Sequence, residues 1–279
     1  MRTTIQQIKD FKLKGEKFAV LTAYDYPTAQ IVDRCGIPVI LVGDSLGNVV
    51  LGYDSTIPVT IDDMIHHTKA VVRGAQKAMV VGDMPFMTYQ INIEDTLRNA
   101  ARFLQEAGAQ AVKLEGGVTV ADKVKKLVVC GIPVMGHIGL TPQSINQLSG
   151  HKVQGRSIEA ARRVLADAKA LEEAGAFAVV LETIPAELAA FITSRISIPT
   201  IGIGAGLGCD GQVQVISDLL GLFTDFVPKH AGQYGTLAQL MSKGIADYAN
   251  DVINGSFPAA QHSFTMDPAV IDELRHENS

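Results

Sequence analysis

Short runs of valine, isoleucine and leucine punctuate the chain at 17–23 (KFAVLTA), 37–43 (IPVILVG), 78–82 (AMVVG) and 110–115 (QAVKLE). Four more follow at 132–137 (IPVMGH), 177–182 (FAVVLE), 199–203 (PTIGI) and 224–228 (TDFVP). They are nearly continuous rather than alternating, the pattern of strands covered on both faces. The longer stretches between them carry helical spacing. Residues 60–77 open on Thr60 and Asp63, a pair suited to a capping box, and set Ile61, Met64, Ile65, Val71, Val72 and Ala75 along one stripe. Residues 92–109 start at Asn92 and end at Gly108, and residues 157–175 end at Gly175. A capping residue at the start and a glycine at the end is ordinary helix punctuation.

One helix-to-strand joint is written twice, as EAGAQAVKLE at 106–115 and EAGAFAVVLE at 173–182. A second pair is CGIPV at 35–39 and at 130–134. Repeated helix–glycine–strand units at this length predict an α/β fold, a single (β/α)8 TIM barrel spanning residues 1–279. It carries an extra N-terminal helix near 4–14 and C-terminal helices after 233. An open doubly wound sheet is the alternative.

Composition narrows the partners. Of 279 residues, 47% are hydrophobic and 19% charged, enough for a large core and too little charge for a disordered chain. Twenty-four basic residues face 29 acidic ones, a net charge of −5 with no basic block, so no nucleic-acid or anionic-membrane partner is expected. Cys35, Cys130 and Cys209 lie far apart without CxxC spacing, which argues for a reducing cytoplasm and against structural zinc. Charges spread through the first twenty residues leave no signal peptide, and proline and glycine break every long uncharged run short of a membrane span. The chain reads as a soluble cytoplasmic protein.

In a parallel barrel, chemistry gathers where strands end and the following loops begin. Run two ends in Gly43-Asp44-Ser45, run three in Gly82-Asp83-Met84-Pro85, and run four in Lys113-Leu114-Glu115. Runs five and six end in His137 and Glu182. Carboxylates from successive strands would meet at one mouth, where a hard divalent cation offsets their repulsion. Oxygen donors without a Cys or His cluster favour Mg2+ over Zn2+. Lys113 and Glu115, two apart, share a face. Taken singly, Asp44 and Asp83 read equally well as helix N-caps and Glu115 as a surface acid. Glu182 aligns with Glu115 in the repeated joint, so both should face one cavity; it suits a general base, or a salt-bridged acid on the rim. Lys113 could neutralise a substrate carboxylate or form a Schiff base, and nearby acids disfavour the free amine the latter needs. His137 is a substrate donor or a satisfied core histidine. The GxGxxG at 206–211 follows the seventh run instead of opening a βαβ unit, so a dinucleotide site is disfavoured against glycines that clear space for a flat ligand or make a tight turn. The glycine-containing stretch 45–59 is long for a βα connection and fits a lid, or an oligomer contact.

Several longer segments, LTAYDYPTAQ (21–30), VGDSLGNVVLGYDST (42–56), GDMPF (82–86), VKLEGG (112–117), GHIGLTPQS (136–144), LETIPAELA (181–189) and IGIGAG (201–206), resemble the ketopantoate hydroxymethyltransferase family over about residues 3–260. The resemblance implies a Mg2+-dependent enzyme, with one ion per subunit, that transfers a hydroxymethyl group. The donor would be 5,10-methylenetetrahydrofolate, and the acceptor the 2-oxo acid 3-methyl-2-oxobutanoate. The product would be 2-dehydropantoate, on the route to pantothenate and coenzyme A. It implies that Asp44 and Asp83 bind the metal directly, with Glu115 in the same site, either directly or through water. Asp44, Ser45, Asp83, Lys113 and His137 would surround the keto acid and Glu182 would accept its proton. It further implies a homodecamer. Segment 202–206 and the 45–59 loop are the parts of the chain nearest to hand for the folate. A metal-dependent lyase or mutase of 2-oxo acids would share this barrel, but the Lys-Lys-Cys-Gly-His loop of such lyases does not occur here. A Lys113 aldolase and a non-catalytic keto-acid sensor stand as further alternatives.

Overall fold

The computed structural model describes residues 1–277. Its eight strands are β1 (Phe18–Thr22), β2 (Val39–Val42), β3 (Met79–Asp83), β4 (Ala111–Glu115), β5 (Val134–Gly139), β6 (Ala178–Glu182), β7 (Thr200–Ile203) and β8 (Gly211–Gln214). All pair in parallel, in chain order, and β8 closes on β1. The longer helices are α1 (Ile5–Lys14), α2 (Tyr26–Arg34), α3 (Ile61–Gly74), α4 (Ile93–Gln105), α5 (Ala121–Val129), α6 (Ile158–Glu173), α7 (Ala186–Thr193), α8 (Leu237–Ile253) and α9 (Pro268–Glu277). The α/β barrel expected from the hydrophobic runs is therefore present, and the open sheet is excluded.

Helix starts follow the capping residues in the sequence. Thr60 and Asp63 satisfy each other's backbone N–H groups at the head of α3. Asn92 accepts the Asp95 N–H at 2.7 Å and Ser157 the Ala160 N–H at 3.2 Å. Each such cap is worth about 1 kcal/mol and fixes where the chain turns away from the sheet.

Strand alternation sorts side chains into two apolar layers. Outward residues such as Val80, Leu114, Val134 and Val179 pack beneath the helices. Inward residues Val20, Val39, Val81, Ala111, Met135, Val180 and Ile201 fill the lower barrel. Ile8 of α1, fully buried, plugs that end against them. The same alternation, continued upward, brings Asp83, Lys113, Glu115, His137 and Glu182 to the upper end.

The eighth strand is a correction. The run at 224–228 is irregular, with Phe226 67% and Val227 46% exposed. The barrel instead closes through Gly211–Gln214, reached from β7 by residues 204–210 without a helix. Closure there needs little apolar sequence: Val213 is the buried hydrophobe, and Gly211 lies where a Cβ would stand 2.9 Å from the Phe18 ring. The GxGxxG glycines are equally structural. A Cβ at Gly206 would meet Ala186 at 2.4 Å and one at Gly208 would meet Ala190 at 2.6 Å, so this turn packs directly on α7 and leaves no room there for a flat ligand.

The 45–59 connection is anchored at both ends, by buried Leu46 and Val59, with an exposed middle at Val50 and Tyr53. Beyond the barrel, α8 and α9 bury no residue within the chain. Among the described residues, no helix is long and apolar enough to cross a membrane.

Candidate active site

The register of the sheet places the polar residues side by side. Asp83 is paired with Lys113 across β3 and β4, Glu115 with His137 across β4 and β5, and Gly139 with Glu182 across β5 and β6. Asp44 joins them from the residues just after β2, its backbone N–H donating to Asp83 Oδ2 at 3.3 Å. Asp44, Asp83, Lys113, Glu115 and His137 are all at most 5% exposed, whereas the Glu182 side chain keeps 14% and is the most open of the group.

One cation serves this cluster. Lys113 Nζ lies 2.7 Å from Asp83 Oδ1 and 3.2 Å from His137 Nδ1. Burial acts against its charge, but Asp83, then Glu115 and Asp44, outweigh burial and hold the lysine pKa above its ordinary value. The amine is thus kept protonated, which suits an anion-binding group and not a Schiff-base nucleophile.

The imidazole follows from that. A charged lysine can only donate, so His137 Nδ1 accepts and the ring proton sits on Nε2. Nε2 stands 3.1 Å from Glu182 Oε2, within ionic reach but misaligned for a hydrogen bond. Desolvation first, and then Lys113, push the His137 pKa down, so the ring is a neutral donor turned towards Glu182.

The carboxylates are the unbalanced part. Burial raises the Asp83 pKa to about 7, with Asp44 adding to the shift and Lys113 opposing it. Burial and then Asp44 raise Glu115 well above the usual carboxylate range. Glu115 Oε1 is buried without a hydrogen-bond partner; His137 Nδ1 is 3.5 Å away but has no proton to give. Three buried carboxylates sharing one ammonium are a fit for a hard divalent cation. Among the described residues no three donors form a ready-made coordination set.

Ser45 sits one residue beyond Asp44, and its Oγ is 2.8 Å from the Tyr24 hydroxyl, itself buried after β1. Tyr24, Tyr89 and Gln143 were not singled out by strand-end reasoning. Tyr24 and Gln143 lie inside the segments 21–30 and 136–144, but nothing in their spacing marks a polar role. Gln143 reaches Asp44 Oδ2 at 2.9 Å across a separation of 99 residues.

The family model described as ketopantoate hydroxymethyltransferase matches residues 2–260. A protein of Dehalococcoides mccartyi (strain ATCC BAA-2266 / KCTC 15142 / 195) named 3-methyl-2-oxobutanoate hydroxymethyltransferase is 67% identical over 275 residues, covering 99% of this chain and 98% of that one. One of the same name from Chloroflexus aurantiacus (strain ATCC 29366 / DSM 635 / J-10-fl) is 62% identical over 269 residues, covering 96% and 95%. Among solved structures, phosphonopyruvate hydrolase superposes with a TM-score of 0.59 at 14% identity, covering 100% of this chain and 96% of that one. A 2,3-dimethylmalate lyase, a PEP mutase/isocitrate lyase superfamily member, does so with a TM-score of 0.55 at 12% identity, covering 100% of both. The structural likenesses speak for the barrel alone. The sequence matches go further, and the chain belongs to the ketopantoate hydroxymethyltransferase family.

Proposed function

We propose that the chain is a Mg2+-dependent 3-methyl-2-oxobutanoate hydroxymethyltransferase, using 5,10-methylenetetrahydrofolate as donor and giving 2-dehydropantoate for pantothenate and coenzyme A synthesis. The observation that carries this reading is the buried mouth in which Asp44, Asp83 and Glu115 share Lys113, with His137 and Glu182 beside them. The names of the relatives support it.

Asp44 and Asp83 would hold Mg2+ directly and Glu115 would share the site. When bound, the ion draws electron density from the 2-oxo group and so acidifies the C3–H bond. Lys113 balances the substrate carboxylate. His137 offers its Nε2–H to the developing negative charge, and Ser45, oriented by Tyr24, adds a hydroxyl. Glu182, the least enclosed carboxylate, takes the C3 proton. The C3 electron pair then forms a bond to the methylene carbon of the donor. Both carbon–nitrogen bonds of that carbon break, and water supplies the hydroxyl. The two folate nitrogens gain one proton from C3, by way of Glu182, and one from water, so atoms and charge balance.

Assembly and location complete the reading. Leu240, Ile245, Tyr248 and Ile253 of α8 are each at least 58% exposed in the single chain. A helix so apolar on its surface supports a homo-oligomer, which by family membership we take to be a decamer. Cys35, Cys130 and Cys209 are all unpaired, in keeping with a cytoplasmic enzyme.

Proton NMR of 3-methyl-2-oxobutanoate in D2O tests the chemistry without folate. The C3 proton should exchange in the presence of protein and Mg2+, and Glu182→Gln should slow exchange by roughly 10²–10⁴-fold while still binding the keto acid. Exchange at the normal rate in that variant removes Glu182 from the base role. No exchange with folded wild-type protein and Mg2+ overturns the reaction itself.

A further inference from the structure

Gln143 belongs to no strand, yet it is 3% exposed and its hydrogen-bonding capacity is filled. Its backbone N–H donates to Glu115 Oε2 at 3.1 Å. Its Nε2 donates to Asp44 Oδ2 and to the Met84 carbonyl, both at 2.9 Å. Its Oε1 accepts from the Tyr89 hydroxyl at 2.7 Å and from Gln90 Nε2 at 3.2 Å. The amide orientation is settled by these partners, because Nε2 faces two acceptors and Oε1 faces two donors. Tyr89, 1% exposed, ties the assembly to β4: its hydroxyl accepts the Glu115 backbone N–H at 3.1 Å.

The consequence lies in which oxygens are left. Each carboxylate has two, and this network engages Oδ2 of Asp44 and Oε2 of Glu115. The network does not use Asp44 Oδ1, and Glu115 Oε1 is buried and unpartnered, open to another ligand. We propose that Gln143, held by Tyr89, is a positioning residue that fixes which oxygen of Asp44 and of Glu115 is turned towards the divalent cation. The proposal rests on the metal reading above and deepens it. A neutral amide is suited to this task. It orients Asp44 without neutralising it, while the backbone N–H of the same residue holds Glu115; a lysine or arginine at the same place would compete with the cation for the carboxylate charge. Outer partners of this kind commonly set the affinity of a metal site.

Titration of the full-length protein with Mn2+, followed by EPR of the free ion, tests this directly, with the melting temperature of the metal-free protein recorded beside it. Gln143→Met keeps the length of the side chain and the backbone N–H to Glu115, but removes every side-chain bond. It should weaken Mn2+ binding roughly 10–100-fold. Tyr89→Phe keeps the packed ring and removes one hydroxyl, and should weaken binding about three- to tenfold. If Gln143→Met fails to fold, the tyrosine variant carries the test alone. A purely structural role predicts the opposite split: a lower melting temperature with an unchanged Mn2+ dissociation constant. That result in either folded variant overturns the proposal. Wild-type protein that binds no Mn2+ overturns the metal site and this inference with it, whereas tight binding by wild type and variants alike overturns the inference only.

Discussion

The upper and lower halves of this barrel are built by the same strands, and the inward residue changes character within a step of two. Val81 is followed on its face by Asp83, Ala111 by Lys113, Met135 by His137 and Val180 by Glu182. Below, each side chain needs only volume and an apolar surround, and any of several neighbours will serve. Above, each group needs a particular partner at a particular atom, because a buried charge or polar atom without one is costly. The lower half is thus a rigid, forgiving base, and the upper half is a set of specific dependences standing on it. The acids of the upper half are tolerable because Lys113 and, on our reading, a divalent cation supply the missing positive charge.

Removing that positive charge should therefore be the most damaging single change. Lys113→Met keeps bulk and deletes the ammonium, breaking a buried pair, and should cost roughly 3–5 kcal/mol in urea unfolding of the metal-free protein. Saturating Mg2+ should return part of it, on the order of 2.7 kcal/mol at a hundred times the dissociation constant. Equal stability of variant and wild type without Mg2+ would mean that the acids do not depend on the lysine.

A change of pH perturbs the same half more gently. Asp83, raised to about 7 by burial, and Glu115, also raised, hold protons in the folded state that the unfolded chain releases near pH 4. Their contribution to stability is complete below that range and drains away as pH rises towards about 7. His137, lowered by burial, acts in the opposite sense, gaining stability as pH rises through about 6.5, but it is one group against four, since burial raises Asp167 and Asp218 as well. The carboxylates whose pKa is lowered, Asp33, Asp63 and Glu106, act beneath this window. The melting temperature of metal-free protein should accordingly fall between pH 5 and 7.5, and excess Mg2+ should flatten the fall. A melting temperature that climbs over this interval without metal contradicts the acid cluster as described.

The contrast also explains what could be read from the chain. Strand ends announce themselves: an apolar run closing on Asp, Lys-x-Glu, His or Glu is visible without coordinates, and the barrel places those positions at one mouth. Helix starts were equally legible, because Thr60, Asn92 and Ser157 act through bonds to residues three positions on. The eighth strand was not, because β8 carries one buried hydrophobe between glutamines and no helix precedes it, while the apolar run at 224–228 stays on the surface. Gln143 and Tyr89 were hidden for another reason. Their roles arise where loops far apart in sequence converge, and no periodicity encodes a contact between residues 44 and 143.

The smallest effect should come from the lower half, and its smallness is informative. Ile8 is fully buried and enters the barrel from α1, at the end away from the polar cluster. Ile8→Val deletes one methylene from this plug and should cost about 0.5–1.5 kcal/mol, because the surrounding valines and methionines close only part of the space left. The change alters no charge and touches no hydrogen bond, so C3 proton exchange in D2O should proceed at the wild-type rate. If the two halves are separable, combining Ile8→Val with Lys113→Met should give a loss equal to the sum of the two, within roughly 0.5 kcal/mol. A slower exchange in Ile8→Val, or a double variant well outside that sum, would show that packing at the base sets the positions of the acids above. The lower half would then be part of the catalytic device and not merely its support.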